Sequence, residues 1–308
     1  MTPLSPEAEA FLAAGGPARP WPSLTPTQAR AQALAARRPD SGAPPVDTID
    51  TLIPRTDGSS ITVRVYRSGV ADPVLVFFHG GGWVYGDLDM ADGFCRRLSV
   101  RARVTICSVD YRLAPEHPFP APLDDAALAT TWASEHLTAG RPVGVIGSSA
   151  GGNLAAATCL VARDRNGPPI GLQVLLCPVT DYRFDTASYT ESAVGKFLEA
   201  DDMRWYWSQY LAGGGRGDEA YASVLCADVS RVAPALVITA DHDVLRDEGE
   251  AYAERLRDAG VDVALRRFDG MVHAFAVMSA FPIAQAEAIE EITAAVDRWL
   301  RPTTPPRN

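Results

Sequence analysis

The chain has 308 residues, 47% of them hydrophobic and 21% charged, the makeup of a soluble enzyme that can bury a large core without disulfide or metal staples. A formal net charge of −10 argues against nucleic acid or an anionic membrane as a partner, since both require a basic surface to displace counterions. The five cysteines, Cys95, Cys107, Cys159, Cys177 and Cys226, lack metal-ligand spacing and read as reduced core thiols, and no apolar run reaches 18 residues. With an opening Met-Thr-Pro-Leu-Ser-Pro-Glu that has neither a basic nor an apolar leader region, the expectation is an unsecreted protein of the cytoplasm.

From Leu4 to Arg38 the sequence is broken by proline and rich in alanine. Two short helices are expected, Pro6 to Ala14 and Pro26 to Arg37, the second capped by Thr25 with proline at its first position. A segment this short has no core of its own, so residues 1–44 are read as part of a cover. Alternation begins at Val46 and runs to Ile53, Asp57-Gly58 turns the chain, and Ile61 to Tyr66 returns, which together predict an antiparallel hairpin. Val74 to Phe78 is apolar throughout, the pattern of a strand buried on both faces. After it come a helix from Met90 to Arg101, a strand from Val104 to Val109 and a helix from Leu123 to His136. Val143 to Ile146 reads as strand, Leu154 to Arg163 as helix and Leu172 to Leu176 as strand. The order closes with strand Ala235 to Thr239, helix Glu248 to Asp258, strand Val261 to Phe268 and helix Ile283 to Trp299. Alternating strand and helix after a hairpin predicts an α/β fold with an open, mostly parallel, eight-stranded sheet.

One piece breaks the alternation. Between Tyr182 and Leu211 the sequence is crowded with aromatic residues, including Phe197, Trp205, Tyr206, Trp207 and Tyr210, with a single helical stretch from Asp201 to Leu211. It reads either as an aromatic helix that packs or as an excursion over the strand ends that walls an apolar pocket. Gly213 to Gly217 follows as a possible hinge, and the tail from Arg301 is Pro-rich and expected to fray. The main domain is therefore assigned to residues 45–181 and 218–300, and a helical cap to residues 1–44 and 182–217.

The chemistry is concentrated where strands end. Gly147-Ser-Ser-Ala-Gly-Gly152 joins an apolar strand to an Ala-rich helix. Its Gly-x-Ser-x-Gly phase selects Ser149, because Ser148 would need glycine where Ile146 stands. A serine hydroxyl needs a base, a group to orient that base, and donors for an oxyanion. Of the five histidines, His136 lies on a helix face, His117 in a Pro-rich loop, His242 between two aspartates and His79 after a buried strand. His273 follows the last strand, where the base of such a sheet belongs. The acid is expected after the preceding strand, where Asp241, Asp243 and Asp247 compete and spacing does not separate them. A metal site at Asp241-His-Asp243 is disfavoured, since no distant His or Cys cluster joins these adjacent residues. His79-Gly80-Gly81-Gly82 presents bare backbone N–H groups to an alkoxide, and the amide of Ala150 at a helix N-terminus is the further donor. No cofactor is called for.

His79-Gly-Gly-Gly-Trp83, Asp110-Tyr-Arg-Leu-Ala-Pro-Glu116 with Pro118-Phe-Pro-Ala121, the Ser149 turn, Asp243-Val-Leu-Arg-Asp-Glu-Gly249 and His273-Ala-Phe275 occur in one order. In that order they resemble the bacterial hormone-sensitive-lipase-like esterases of the α/β-hydrolase superfamily, over about residues 45–300. The resemblance implies an α/β-hydrolase fold with a helical cap. It also implies a triad of Ser149, Asp243 and His273, and oxyanion donors at Gly81, Gly82 and Ala150. The substrate it implies is a small carboxylic ester, and a homodimer is compatible with it; the bulky aromatic cap adds the expectation of short to medium acyl chains. Two positions depart from the family pattern: Ser148 stands where Asp or Thr is usual, and Val244 where Pro is common. Hydrolysis of an aryl formamide and acyl transfer to an alcohol or amine share the same triad, and a ligand-binding relative without chemistry would be expected to lack the base.

Overall fold

The computed structural model describes residues 2–15, 21–37, 40, 42–67, 69 and 72–301. Parts of the expected N-terminal cover and the tail after Arg301 lie outside these residues. Arg301 itself is not frayed, since its guanidinium donates to Arg103 O at 3.1 Å.

Helices α1 (Pro6–Ala13) and α2 (Pro26–Ala36) precede the sheet. Each starts on proline behind a hydroxyl cap: the Ser5 side chain accepts from Ala8 N–H, and Thr25 forms a capping box with Gln28. Strands β1 (Asp47–Pro54) and β2 (Ser60–Arg67) form the hairpin, with Ile53 opposite Ile61. Then come β3 (Val74–Phe78), α3 (Asp92–Ala102), β4 (Thr105–Asp110), α4 (Ala121–His136), β5 (Val143–Ser148), α5 (Ala150–Asp164) and β6 (Ile170–Leu176). Two helices, α6 (Ala187–Glu191) and α7 (Ala200–Tyr210), occupy the aromatic excursion. The chain then returns through β7 (Ala235–His242), α8 (Arg246–Asp258), β8 (Val263–Val272) and α9 (Pro282–Trp299).

All eight strands form one sheet in the order β1-β2-β4-β3-β5-β6-β7-β8, antiparallel at β1/β2 and β2/β4 and parallel elsewhere. The apolar run of β3 is explained by its two faces. Val74, Val76 and Phe78 join a core with α4, α5 and α8, while Leu75 and Phe77 join a second core with α3 and α9. The sheet thus separates two apolar layers, and each layer is closed by helices.

Several element boundaries, and the place of one thiol, differ from the sequence expectation. α5 begins at Ala150, not Leu154, because its first turn is built from Gly151 and Gly152, which carry no helical signal but permit close packing on β3 and the segment after β6. β7 and β8 run on to His242 and Val272 through an irregularity between Ala240 and His242, so the strand ends themselves carry the polar residues first read as loop. Cys226 is exposed and is not a core thiol, whereas the other four cysteines are buried and free.

Candidate active site

Ser149 sits at the joint of β5 and α5 with φ 58° and ψ −120°. A residue with a Cβ holds such a backbone only when its surroundings over-determine it. Here Ser149 N–H donates to Leu176 O at 2.8 Å, and its carbonyl accepts from Asn153 N–H at 3.1 Å and Val179 N–H at 3.2 Å. A Cβ on Gly147 would fall 2.0 Å from Gly151 O, and one on Gly151 would fall 2.0 Å from Phe78 O, so neither flank of the turn can carry a side chain. The Asn153 amide donates to Val179 O and Ala222 O, which ties the first turn of α5 to the chain beyond β6. Ala150 opens the helix, where N–H groups lack intrahelical partners and the helix dipole favours negative charge.

Beside this turn runs the loop from His79 to Gly86. A Cβ on Gly80 would lie 3.5 Å from Ser149 Cβ, which places the glycine run against the hydroxyl-bearing residue. Gly81 and Gly82 have φ of 106° and 60°, and the loop folds back so that Val84 and Tyr85 N–H both donate to Gly81 O. Substituents are blocked here as well, because a Cβ on Gly81 would meet Tyr85 O at 2.1 Å and one on Gly82 the Tyr206 ring at 2.1 Å. Trp83 stacks flat on Tyr210 with centroids 4.1 Å apart and meets Trp207 edge-on at 4.9 Å. The reading of the excursion as packing aromatics holds for Trp207 and Tyr210, which are core, and Tyr206 is buried against the glycine loop.

His79 anchors the start of that loop. Its Nδ1 bonds Gly80 O at 2.7 Å, its ring stacks on Tyr111 at 4.1 Å, and the Tyr111 hydroxyl donates to His79 O at 2.7 Å. Burial pushes the imidazole down to about 4, so it is neutral near pH 7. A carbonyl only accepts, so Nδ1 carries the proton. From the N-terminal segment, Arg30 donates to Val84 O at 2.8 Å and Ala114 O at 2.9 Å while pairing with Glu116. Sequence reasoning missed Arg30, and the acidic end of the Asp110 to Glu116 motif was the available signal.

The acid and the base meet at the ends of β7 and β8. His273 Nδ1 donates to Asp243 Oδ2 at 2.7 Å, and Leu245 N–H donates to Asp243 Oδ1 at 3.0 Å, with both side chains buried. Of the three competing aspartates only Asp243 touches the imidazole. Asp241 accepts from Thr2 N–H and its hydroxyl, and Asp247 accepts from Ser188 N–H and Arg246. His242 turns away from His273, its Nε2 on Thr2 O at 2.8 Å. Among the described residues the thiol, carboxylate and imidazole donors that do converge are those of Cys177, Asp243 and His273, all within 4.8 Å. The last two of these already satisfy each other. Cys177, expected from the sequence as an ordinary core thiol, stands directly after β6 and so on this edge.

Among the described residues Ser149 Oγ makes no side-chain hydrogen bond, so hydroxyl and imidazole share the sheet's carboxyl edge without being joined. Such bonds commonly form only when substrate closes the site. Further back, Glu248 is fully buried in the first turn of α8 and accepts from Thr180 N–H at 2.7 Å and Asp181 N–H at 3.2 Å. Burial pushes its carboxyl up to about 8.

Comparison with known proteins places this geometry in a family. Residues 75–277 match the family described as alpha/beta hydrolase fold. The carboxylic ester hydrolase LipN of Mycobacterium tuberculosis is 44% identical over 75% of this chain, a stretch that spans 64% of its own length. An ethyl acetate hydrolase of Pseudomonas putida is 34% identical over 96% of this chain and 99% of its own. Among solved structures, a fungal esterase from Rhizomucor miehei superposes with a TM-score of 0.91 at 32% identity, covering 97% of both chains. The chain belongs to the alpha/beta hydrolase fold family, in its hormone-sensitive-lipase-like branch.

Proposed function

We propose that this chain, a carboxylic ester hydrolase, works through an acyl-enzyme on Ser149. The observation that carries the reading is the buried 2.7 Å Asp243–His273 bond on the same sheet edge as a serine held at φ 58° beside a bare glycine loop. His273 takes the Ser149 proton as its oxygen attacks the ester carbonyl. Asp243 holds the imidazole with Nδ1 protonated and stabilises its charged form. The N–H groups of Gly81, Gly82 and Ala150 receive the oxyanion of the tetrahedral intermediate. His273 then protonates the leaving alkoxide, and water repeats the sequence on the acyl-enzyme.

Residues 182–217 and the N-terminal segment act as the cap in this reading. Tyr206 seated on Gly82 limits the space beyond the oxyanion loop, which favours short to medium acyl chains. The enzyme is placed in the cytoplasm, in keeping with its buried free thiols, and no helix among the described residues is long and apolar enough to cross a membrane. A homodimer belongs to the same proposal and is tested by light scattering on the purified protein. The deciding experiment is turnover of p-nitrophenyl butyrate by Ser149→Ala, expected to fall about 10⁶-fold with the fold intact. A comparable rate would refute the assignment. A panel of p-nitrophenyl esters from short to long chains tests the cap, and best turnover on the longest would overturn the chain-length reading.

A further inference from the structure

Three of the buried thiols, Cys95, Cys107 and Cys159, lie inside regular elements, and burial is what pushes the Cys107 and Cys159 thiols up. Cys177 differs. It is the first residue after β6, it holds a left-handed backbone at φ 44°, and its N–H donates to Ile238 O on the neighbouring strand at 2.7 Å. These constraints deliver its sulfur to the acid–base pair, with Sγ, a carboxylate oxygen of Asp243 and a ring nitrogen of His273 all within 4.8 Å. Burial and the Asp243 carboxylate beside it both push the thiol up. One side chain at the end of β6 thus sits beside the carboxylate that follows β7 and the imidazole that follows β8.

We propose that Cys177 is a positioning residue for the acyl-transfer reaction, acting through Asp243; the inference rests on the assignment of the acid and base above. A carboxylate held only by His273 Nδ1 and Leu245 N–H keeps freedom to twist about the bond to its Cβ, and that twist lengthens the bond to the imidazole. The sulfur packed beside the carboxylate limits that twist. The same sulfur lies within 4.8 Å of a ring nitrogen of His273, so acid and base are referenced to one atom. A buried thiol serves here because it is a weak donor that is protonated near pH 7, burial and the carboxylate both pushing it up.

The test compares wild type, Cys177→Ala and Cys177→Ser by steady-state kinetics and by the downfield proton resonance of His273 Nδ1–H. Cys177→Ala should lower kcat about tenfold with KM changed less than about twofold, as expected for loss of an outer contact that orients a reacting group. Its downfield signal should move or broaden. Cys177→Ser, which keeps a donor of similar size, should recover most of kcat and the wild-type signal. An unmoved resonance with wild-type kcat in Cys177→Ala would overturn the proposal, as would a serine variant no better than alanine. The resonance needs no substrate, so it decides the role of the thiol even if Ser149→Ala were to show that the acyl-transfer reading is wrong.

Discussion

The two sides of the site are held by different forces. The oxyanion side, from His79 to Gly86, is shaped by glycine and aromatic packing, with Tyr206 on Gly82, Trp83 on Tyr210 and His79 on Tyr111. The acid–base side, from Asp241 to Asp247 with His273, is shaped by hydrogen bonds and charge: Thr2 holds Asp241, Leu245 and His273 hold Asp243, and Ser188 and Arg246 hold Asp247. In the proposed mechanism the difference follows from the task of each side. There the backbone amides that receive an oxyanion must stay bare, so only shape can position them. A carboxylate and an imidazole that exchange charge need their lone pairs and protons directed.

The polar side breaks most sharply when its charge is removed without changing its shape. Asp243→Asn should lower kcat about 10⁴-fold, because a neutral amide no longer holds the imidazole in the required tautomer. Circular dichroism should be unchanged, and a loss under tenfold would separate Asp243 from the chemistry. On the packed side a single methyl is enough. Gly82→Ala drives a Cβ into the Tyr206 ring and should lower kcat about 10²- to 10³-fold, the loss expected for one misplaced oxyanion donor. Adding Tyr206→Ala should return part of that activity. If the double variant is no better than the single one, the ring contact is not what excludes a side chain there.

The two sides also answer to pH in opposite directions. His79 is held down to about 4, against about 6.5 when unfolded, so below pH 6.5 the unfolded chain takes up a proton that the native ring refuses. Stability from this group is full above about pH 6.5 and declines as pH falls toward 4. Glu248 behind the polar side is held up near 8, against 4.5 unfolded, so the native chain keeps its proton while the unfolded chain releases it. Its contribution is present below about pH 4.5 and is lost as pH rises toward 8. The effects are on the order of 3 kcal/mol for His79 and 5 kcal/mol for Glu248 at most. Calorimetry of Glu248→Gln across pH 5 to 8 should show a flatter decline than wild type, and parallel curves would remove Glu248 as the cause. The smallest expected effect concerns Arg30, which ties the N-terminal segment to Val84 and Ala114 from a partly exposed position. Arg30→Ala should lower Tm by a few degrees, since loss of such a bond costs about 1 to 2 kcal/mol.

The same contrast decides what could be read from the chain in advance. The eight strands were legible because burial on two faces writes itself as continuous apolarity in β3 and as alternation in the β1–β2 hairpin. Ser149 was legible because close packing at Gly147 and Gly151 forbids any other residue, and such compulsion leaves a local motif. The choice among Asp241, Asp243 and Asp247 was not available from residues alone: all three find partners, and those partners, Thr2, His273 and Ser188, come from distant parts of the chain. Family resemblance pointed to Asp243, and the geometry places that residue on the imidazole. Arg30 and Cys177 escaped for the same reason. Their surroundings come from contacts 54 to 86 residues away for Arg30 and from the segments after β7 and β8 for Cys177, and no local pattern encodes either.

Mass spectrometry after reaction with a fluorophosphonate tests the central assignment most directly. The reagent is attacked only by an activated hydroxyl and leaves a stable phosphonyl adduct. One adduct per chain should form, and fragmentation of the peptide spanning β5 and α5 should place it on Ser149. An adduct on Ser148, or a folded protein that stays unlabelled, would contradict the reading.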